Sequence, residues 1–250
     1  MTDKAKNRAF GIEYLFAALV LIIAALVIGW QLNRSIVVAE VSVYGHRLSD
    51  PDRVVQKSGL SEGVEGDSIV FLEVIEKIET LPWIRSAHVN LSYTGKLRIR
   101  VEEEDPIALL IDNGGSALIS ESGITLPVVL GQAVDVPILY GFELSESFLN
   151  EGRPDTLSSS SFEKVRLFLN QANQYPGLYA MISEIMVTDD DGIVALSDEN
   201  TVRLTFGRND FDKRLRKWKA FDAQVISHKG MRQMRSLDFR YDGQVVAMEQ

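Results

Sequence analysis

Residues 14–32, YLFAALVLIIAALVIGWQL, run nineteen positions without a charge. As a helix rising about 1.5 Å per residue, such a run spans roughly the 30 Å hydrocarbon core of a bilayer. No later stretch approaches that length. Tyr14 and Trp30 stand near its two ends, where amphipathic aromatics favour the headgroup region. Lys4, Lys6 and Arg8 precede it, so the positive-inside rule places residues 1–13 in the cytoplasm and the bulk of the chain outside it. The competing reading is a cleaved signal peptide with Val37-Val38-Ala39 as its site. The apolar run is long for a signal core, and that site lies several polar residues beyond its end. The expectation is an uncleaved, single-pass anchor over 14–33.

The residues beyond the anchor suit one or two globular domains. The whole chain carries −9; the tail through Asn33 contributes +1, leaving −10 outside. Nucleic-acid binding needs a basic face to neutralise phosphates, and this balance opposes it. It also disfavours broad contact with anionic lipid. There is no cysteine. An exported region must then be held by its apolar core alone, and thiol catalysis and cysteine-based zinc sites are excluded.

Periodicity divides the rest. Residues 37–44 alternate apolar and polar, the pattern of a half-covered strand. Ser49-Asp50-Pro51 signals a helix start, and Ser58-Gly59 its end. After a glycine-rich acidic loop, Asp67-Ser68 opens a second helix with Phe71, Val74, Ile75 and Ile78 on one stripe. Leu81-Pro82 stops it. Residues 84–93 and 96–103 read as strands joined at Thr94-Gly95. The order is β-α-α-β-β. Trp83 is expected in this unit's core, beside the second helix. Glu102-Glu103-Glu104-Asp105-Pro106 reads as a boundary. Beyond it, short strands are expected at 108–112, 117–120, 125–130, 136–140, 182–188, 193–196 and 202–206. Helices are expected from serines 158–161 to about Tyr175, and from Asn209 or Asp210 to about Ile226. A last hairpin, 236–241 with 244–248, turns at Asp242-Gly243.

Certain stretches carry a resemblance. Leu81-Pro82-Trp83-Ile84-Arg85-Ser86-Ala87-His88-Val89 and residues 101–108 (VEEEDPIA), behind an N-terminal anchor, resemble the bacterial FtsQ/DivIB family of cell-division proteins. Leu139-Tyr140-Gly141, residues 202–208 ahead of Lys213-Arg214-Leu215, and Leu237-Asp238-Phe239-Arg240-Tyr241-Asp242 agree in order and spacing. The resemblance implies an α+β protein: the N-terminal transmembrane helix, a POTRA domain (β-α-α-β-β) over 37–104, and over 105–250 a mixed α/β "β domain" dominated by antiparallel strands. It implies a non-catalytic scaffold without cofactor, at the division septum of the inner membrane with its bulk periplasmic. Its partners would be FtsB/DivIC-like and FtsL-like division proteins, linked to septal peptidoglycan synthesis. Partner binding would fall on the C-terminal strand: Arg240, Tyr241, Asp242, Gly243, Gln244, Val245, Val246, Ala247 and Met248, with Tyr241 as main anchor. A strand this near the C-terminus is expected at a sheet edge, open to β-augmentation, and a proline at Val246 would remove a donor if that N–H faces the partner. Where some family members carry a basic partner-contacting residue, this chain has Asp189-Asp190-Asp191. The other POTRA-bearing class, a transport or secretion component, would bring a membrane β-barrel or several POTRA units.

Catalytic signals are weak. His46, His88 and His228 fall in three separate elements without metal-ligand spacing. Asp189-Asp190-Asp191-Gly192 lacks the alternating ligands and closing glutamate of a calcium loop, and reads as a hairpin turn. The basic run 213–219 reads as a solvated helix face, or else as a contact for an acidic partner or lipid headgroups.

Overall fold

The computed structural model describes Tyr14, residues 16–27, and residues 36–250 apart from Leu130 and Gln132. The expected tail 1–13 and the end of the expected span, 28–33, lie outside the described residues. Residues 16–27 are helical with every side chain exposed. Among the described residues, no helix is long and apolar enough to cross a membrane.

The first globular unit is a three-stranded sheet covered by two helices: β1 (Glu40–Tyr44), α1 (Pro51–Ser58), α2 (Phe71–Glu79), β2 (Ile84–Leu91) and β3 (Lys96–Glu103). β3 is central, parallel to β1 and antiparallel to β2. Asp50 caps α1 by accepting from the Asp52 N–H (2.9 Å), with Pro51 opening the helix and left-handed Gly59 closing it. Along β3, Leu97, Ile99 and Val101 turn to the helices and meet Val54, Val74 and Ile78. The alternate residues Lys96, Arg98, Arg100 and Glu102 are exposed, which is the period-two signature in the sequence.

The second unit is a nine-stranded sheet. Its strands are β4 (Pro106–Ile111), β5 (Ser116–Ser120), β6 (Thr125–Leu126), β7 (Ile138–Tyr140), β8 (Ile182–Thr188), β9 (Gly192–Ser197), β10 (Arg203–Gly207), β11 (Met234–Asp238) and β12 (Val246–Glu249). The order is β12-β11-β10-β9-β8-β7-β4-β5-β6. Three of its eight pairings (β4–β7, β7–β8, β10–β11) are parallel, so the sheet is mixed with an antiparallel majority. Helices α3 (Glu146–Glu151), α4 (Ser160–Ala172), α5 (Pro176–Tyr179) and α6 (Phe211–Phe221) complete the unit. Ser159 caps α4, accepting from Phe162 N–H at 3.1 Å. That helix ends at Ala172, before the expected Tyr175, because Pro176 starts a separate turn. After α6, residues Asp222–Ile226 widen into a π-turn. Phe206 stacks on Phe239 (5.1 Å between centroids) and contacts Trp218 and Phe168, so β10, the residue just past β11, α6 and α4 share one aromatic centre.

Trp83 is buried (6% exposed), but not where the sequence suggested. Its apolar neighbours are Leu118 and Leu126 of the second unit, with Leu48, Leu109, Val134 and Val136 around them. It is the plug of the joint between the two units. Glu104, 2% exposed, reinforces that joint by accepting from Arg85 (3.2 Å) and from the Ser122 hydroxyl (2.9 Å). Glu103 accepts the backbone N–H groups of Arg47, Leu48 and Ser49 and the Ser49 hydroxyl, fixing the loop after β1. Burial pushes its carboxyl up, but these donors outweigh burial and its pKa is lowered.

Candidate partner-binding edge

β12 is the last strand of the large sheet and pairs, among the described residues, with β11 alone. All four of its residues are exposed. Which backbone groups are free follows from the register. Phe239 N–H donates to Thr205 C=O (3.0 Å), so the odd-numbered residues of β11 serve β10, and Ser236 and Asp238 face β12. Those two stand opposite Met248 and Val246. In an antiparallel pair such residues exchange both bonds, and their neighbours point away. Gln250 N–H donating to Gln233 C=O (3.0 Å) keeps the parity of β12, the register on the β11 side shifting by one residue between Met234 and Ser236. The unpaired N–H and C=O groups are therefore those of Ala247 and Glu249. Val246 stands in a bonded pair with β11, so the condition for a proline there to test an incoming strand, an N–H facing the partner, is not met.

The expected tight hairpin at Asp242-Gly243 is corrected. The strands stop at Asp238 and resume at Val246, with residues 239–245 as a link between them. Phe239 turns into the core, fully buried. Lys217 of α6 then takes the carbonyls that a hairpin ladder would use, donating to Phe239 and Tyr241 C=O, both at 2.5 Å. Lys213 meets Asp242 at 2.6 Å, and Lys229 meets Glu249 at 2.5 Å. Two lysines of the basic run thus hold the C-terminal link, and a third grips the far end of β12. Burial pulls the Lys217 ammonium below its usual range, and the Lys213 hydrogen bond lowers Asp242.

The nine expected binding residues separate by role. Tyr241, half exposed, and Asp242, Gly243 and Gln244, exposed, lie on the link, with Gly243 in the left-handed region (φ 74°). Val245 is partly buried against the core. Val246, Ala247 and Met248 are in the strand. Arg240 is tied down: it reaches both Asp238 oxygens (2.6–3.0 Å) and Asp191 at 2.7 Å. Asp191 also meets Arg203 at 2.6 Å. The Asp238 hydrogen bonds raise the Arg240 pKa; burial pushes Asp238 up, but Arg240 overrides it and the net shift is down. Of the acidic turn, Asp191 is therefore spent internally, while Asp189 and Asp190 remain exposed. Sequence reasoning missed the Lys217 and Asp191 links, because Lys217 lies 22 and 24 positions from its carbonyls and Asp191 lies 12 and 49 from its arginines, with no local pattern between them.

Comparison with known proteins covers both units. A family model described as POTRA domain, FtsQ-type, matches residues 37–104, and one described as FtsQ/DivIB, C-terminal related, matches residues 105–248. A curated relative in Salinibacter ruber named "Cell division protein FtsQ" is 26% identical over 233 residues, 90% of this chain and 87% of its own length. One of the same name in Rhodothermus marinus is 27% identical over 231 residues, 89% and 81% respectively. Another, in Syntrophotalea carbinolica, is 24% identical over 196 residues, 78% and 68%.

Proposed function

Because the chain belongs to the FtsQ/DivIB family, we propose that it is a non-catalytic, single-pass membrane scaffold of the division machinery. It captures an FtsB/DivIC-like partner, together with an FtsL-like one, by strand addition at β12, and links them to septal peptidoglycan synthesis. Residues 1–13 lie in the cytoplasm, 14–33 span the inner membrane, and the POTRA domain (37–104) and β domain (105–250) lie outside it. The exposed side chains all around residues 16–27 support the span, since a helix apolar on every face belongs in lipid or in a core.

The observation that carries this reading is the free side of β12. An exposed edge with unpaired groups at Ala247 and Glu249 offers main-chain bonds to an extended segment, and Tyr241 stands beside it as a half-exposed aromatic. The measurement is affinity of the full-length chain for the FtsB-like protein. Tyr241→Ala is expected to cost about 2 kcal/mol, roughly thirtyfold. Ala247→Pro is expected to be at least as damaging, because it removes an outward donor while leaving the bonds to β11. Near-wild-type affinity in both folded variants would place the interface elsewhere.

A further inference from the structure

Outside residues 16–27, two places gather exposed large apolar side chains: the C-terminal edge already described, and one end of the POTRA domain. At the latter stand Val37 (48% exposed), Val70 (54%), Leu72 (66%) and Tyr93 (96%). Backbone contacts bring these distant positions together where the chain arrives from its N-terminal helix. Ala39 N–H donates to Gly95 C=O (2.8 Å), setting the arriving chain against the β2–β3 turn that carries Tyr93. Gly66 N–H donates to Ile36 C=O (2.7 Å), and Val38 N–H to Val64 C=O (2.9 Å), drawing in the loop that feeds α2. Gly66 also lies against Leu91, so the first turn of α2, with Val70 and Leu72, sits at this same end.

We propose that this end of the POTRA domain seats on the lipid headgroup layer, with Tyr93, Leu72, Val70 and Val37 dipping into the membrane interface. The inference rests on the single-span reading above. Three observations select lipid as the occupant. Val27 lies in the apolar helix, and the Ile36 carbonyl already accepts from Gly66 of the domain. Nine residue steps reach at most about 30 Å even fully extended, so the domain stays near the surface in which that helix would sit. The exposed side chains are aliphatic plus a tyrosine at the tip of a turn, the composition that favours the interface. Finally, the whole set surrounds the point of chain arrival, which the anchor itself would turn toward the bilayer. The charges nearby are Glu62, Glu65 and Asp67 on the loop and Glu73 in the first turn of α2, with Lys96 paired to Glu40 (3.3 Å). That balance is acidic, so seating is driven by apolar burial and owes nothing to anionic headgroups.

The chain has no cysteine, so one introduced at Thr94, next to Tyr93, gives a unique spin-label position. A second, at Thr80 beyond the C-terminal end of α2, reports the opposite end of the domain. The full-length protein is reconstituted into vesicles of phosphatidylcholine alone and of phosphatidylcholine with phosphatidylglycerol. Collision with an aqueous nickel chelate is then measured. The Thr94 label is expected to be shielded several-fold more than the Thr80 label, to the same extent in both lipids. Leu72→Ser with Tyr93→Ser is expected to abolish the difference. A Thr94 label as water-accessible as the Thr80 label in an anchored protein would overturn this inference alone. Shielding seen only with phosphatidylglycerol would overturn apolar seating. A chain released from vesicles by alkaline carbonate would overturn both this inference and the membrane anchor.

Discussion

Trp83→Ala tests the joint between the two units. The ring is 6% exposed, and its buried neighbours Leu118 and Leu126 belong to the β domain. Deleting a buried Trp side chain typically costs about 3–5 kcal/mol, part lost transfer and part residual cavity. Collapse to fill that space is limited, because the opposing wall is a sheet already ordered by β4–β5 and β5–β6 pairing. In the two-domain region, 34–250, the full cost is expected. At about 2–4 °C per kcal/mol for a unit of this size, the melting temperature drops by roughly 10 °C. In the POTRA domain alone, 37–104, the β-domain neighbours are missing and Trp83 has only its own side of the joint to lose. There the same substitution is expected to cost less than about 1 kcal/mol. Among the described residues the indole N–H has no hydrogen-bond partner, so Trp83→Phe sheds a buried unsatisfied donor and recovers part of the loss. The assay is urea unfolding of both fragments followed by circular dichroism. Equal destabilisation in the isolated domain and in the pair would refute the reasoning, placing the indole in the POTRA core after all.

Glu103 gives an acid-side signature. Its folded pKa lies below the ordinary glutamate value near 4.5, so its stabilisation is complete above that value and is lost as pH falls through the lower folded value. Glu103→Gln is expected to be less stable at neutral pH and to flatten the decline below about pH 4.5; parallel wild-type and variant pH profiles would contradict this. Lys217→Met removes both bonds to the 239–241 link, each of a kind worth about 1.5–3 kcal/mol when undiminished by solvent, and less here at the partly exposed link. Amide exchange across 239–249 is expected to accelerate while the melting temperature moves little, and unchanged exchange would show that the link holds itself.

The POTRA unit was legible because its signals are local. Alternation along β3, the stripe on α2, Pro51 at a helix start and glycine at its end each arise within one element, and burial follows the same period. The joint was not legible. Trp83 looks like a core residue by composition alone, and nothing near it in sequence reveals that, Leu48 apart, its partners sit between Leu109 and Val136. The charge run and Pro106 mark a boundary at Glu102–Pro106, yet Glu104 is buried and β4 starts at Pro106, a first-strand position where a missing N–H does no harm. At the C-terminus the edge strand was readable, but its register was not. A lysine on a helix more than twenty residues upstream displaced the hairpin, and one residue of register decides whether Val246 or Ala247 faces outward. The short helix α3 was missed altogether, its six residues being too few to show a period.

The central claim, that β12 receives a partner strand, is tested most directly by residue-resolved amide exchange on the full-length chain with and without the FtsB-like protein. Strand addition makes a parity-specific demand. The amides of Ala247 and Glu249, which point away from β11, should become protected on binding. Those of Val246 and Met248, already bonded to β11, should change little by comparison. Protection that ignores this alternation, or that appears on other elements and leaves Ala247 and Glu249 exchanging as in the free protein, would contradict capture at this edge.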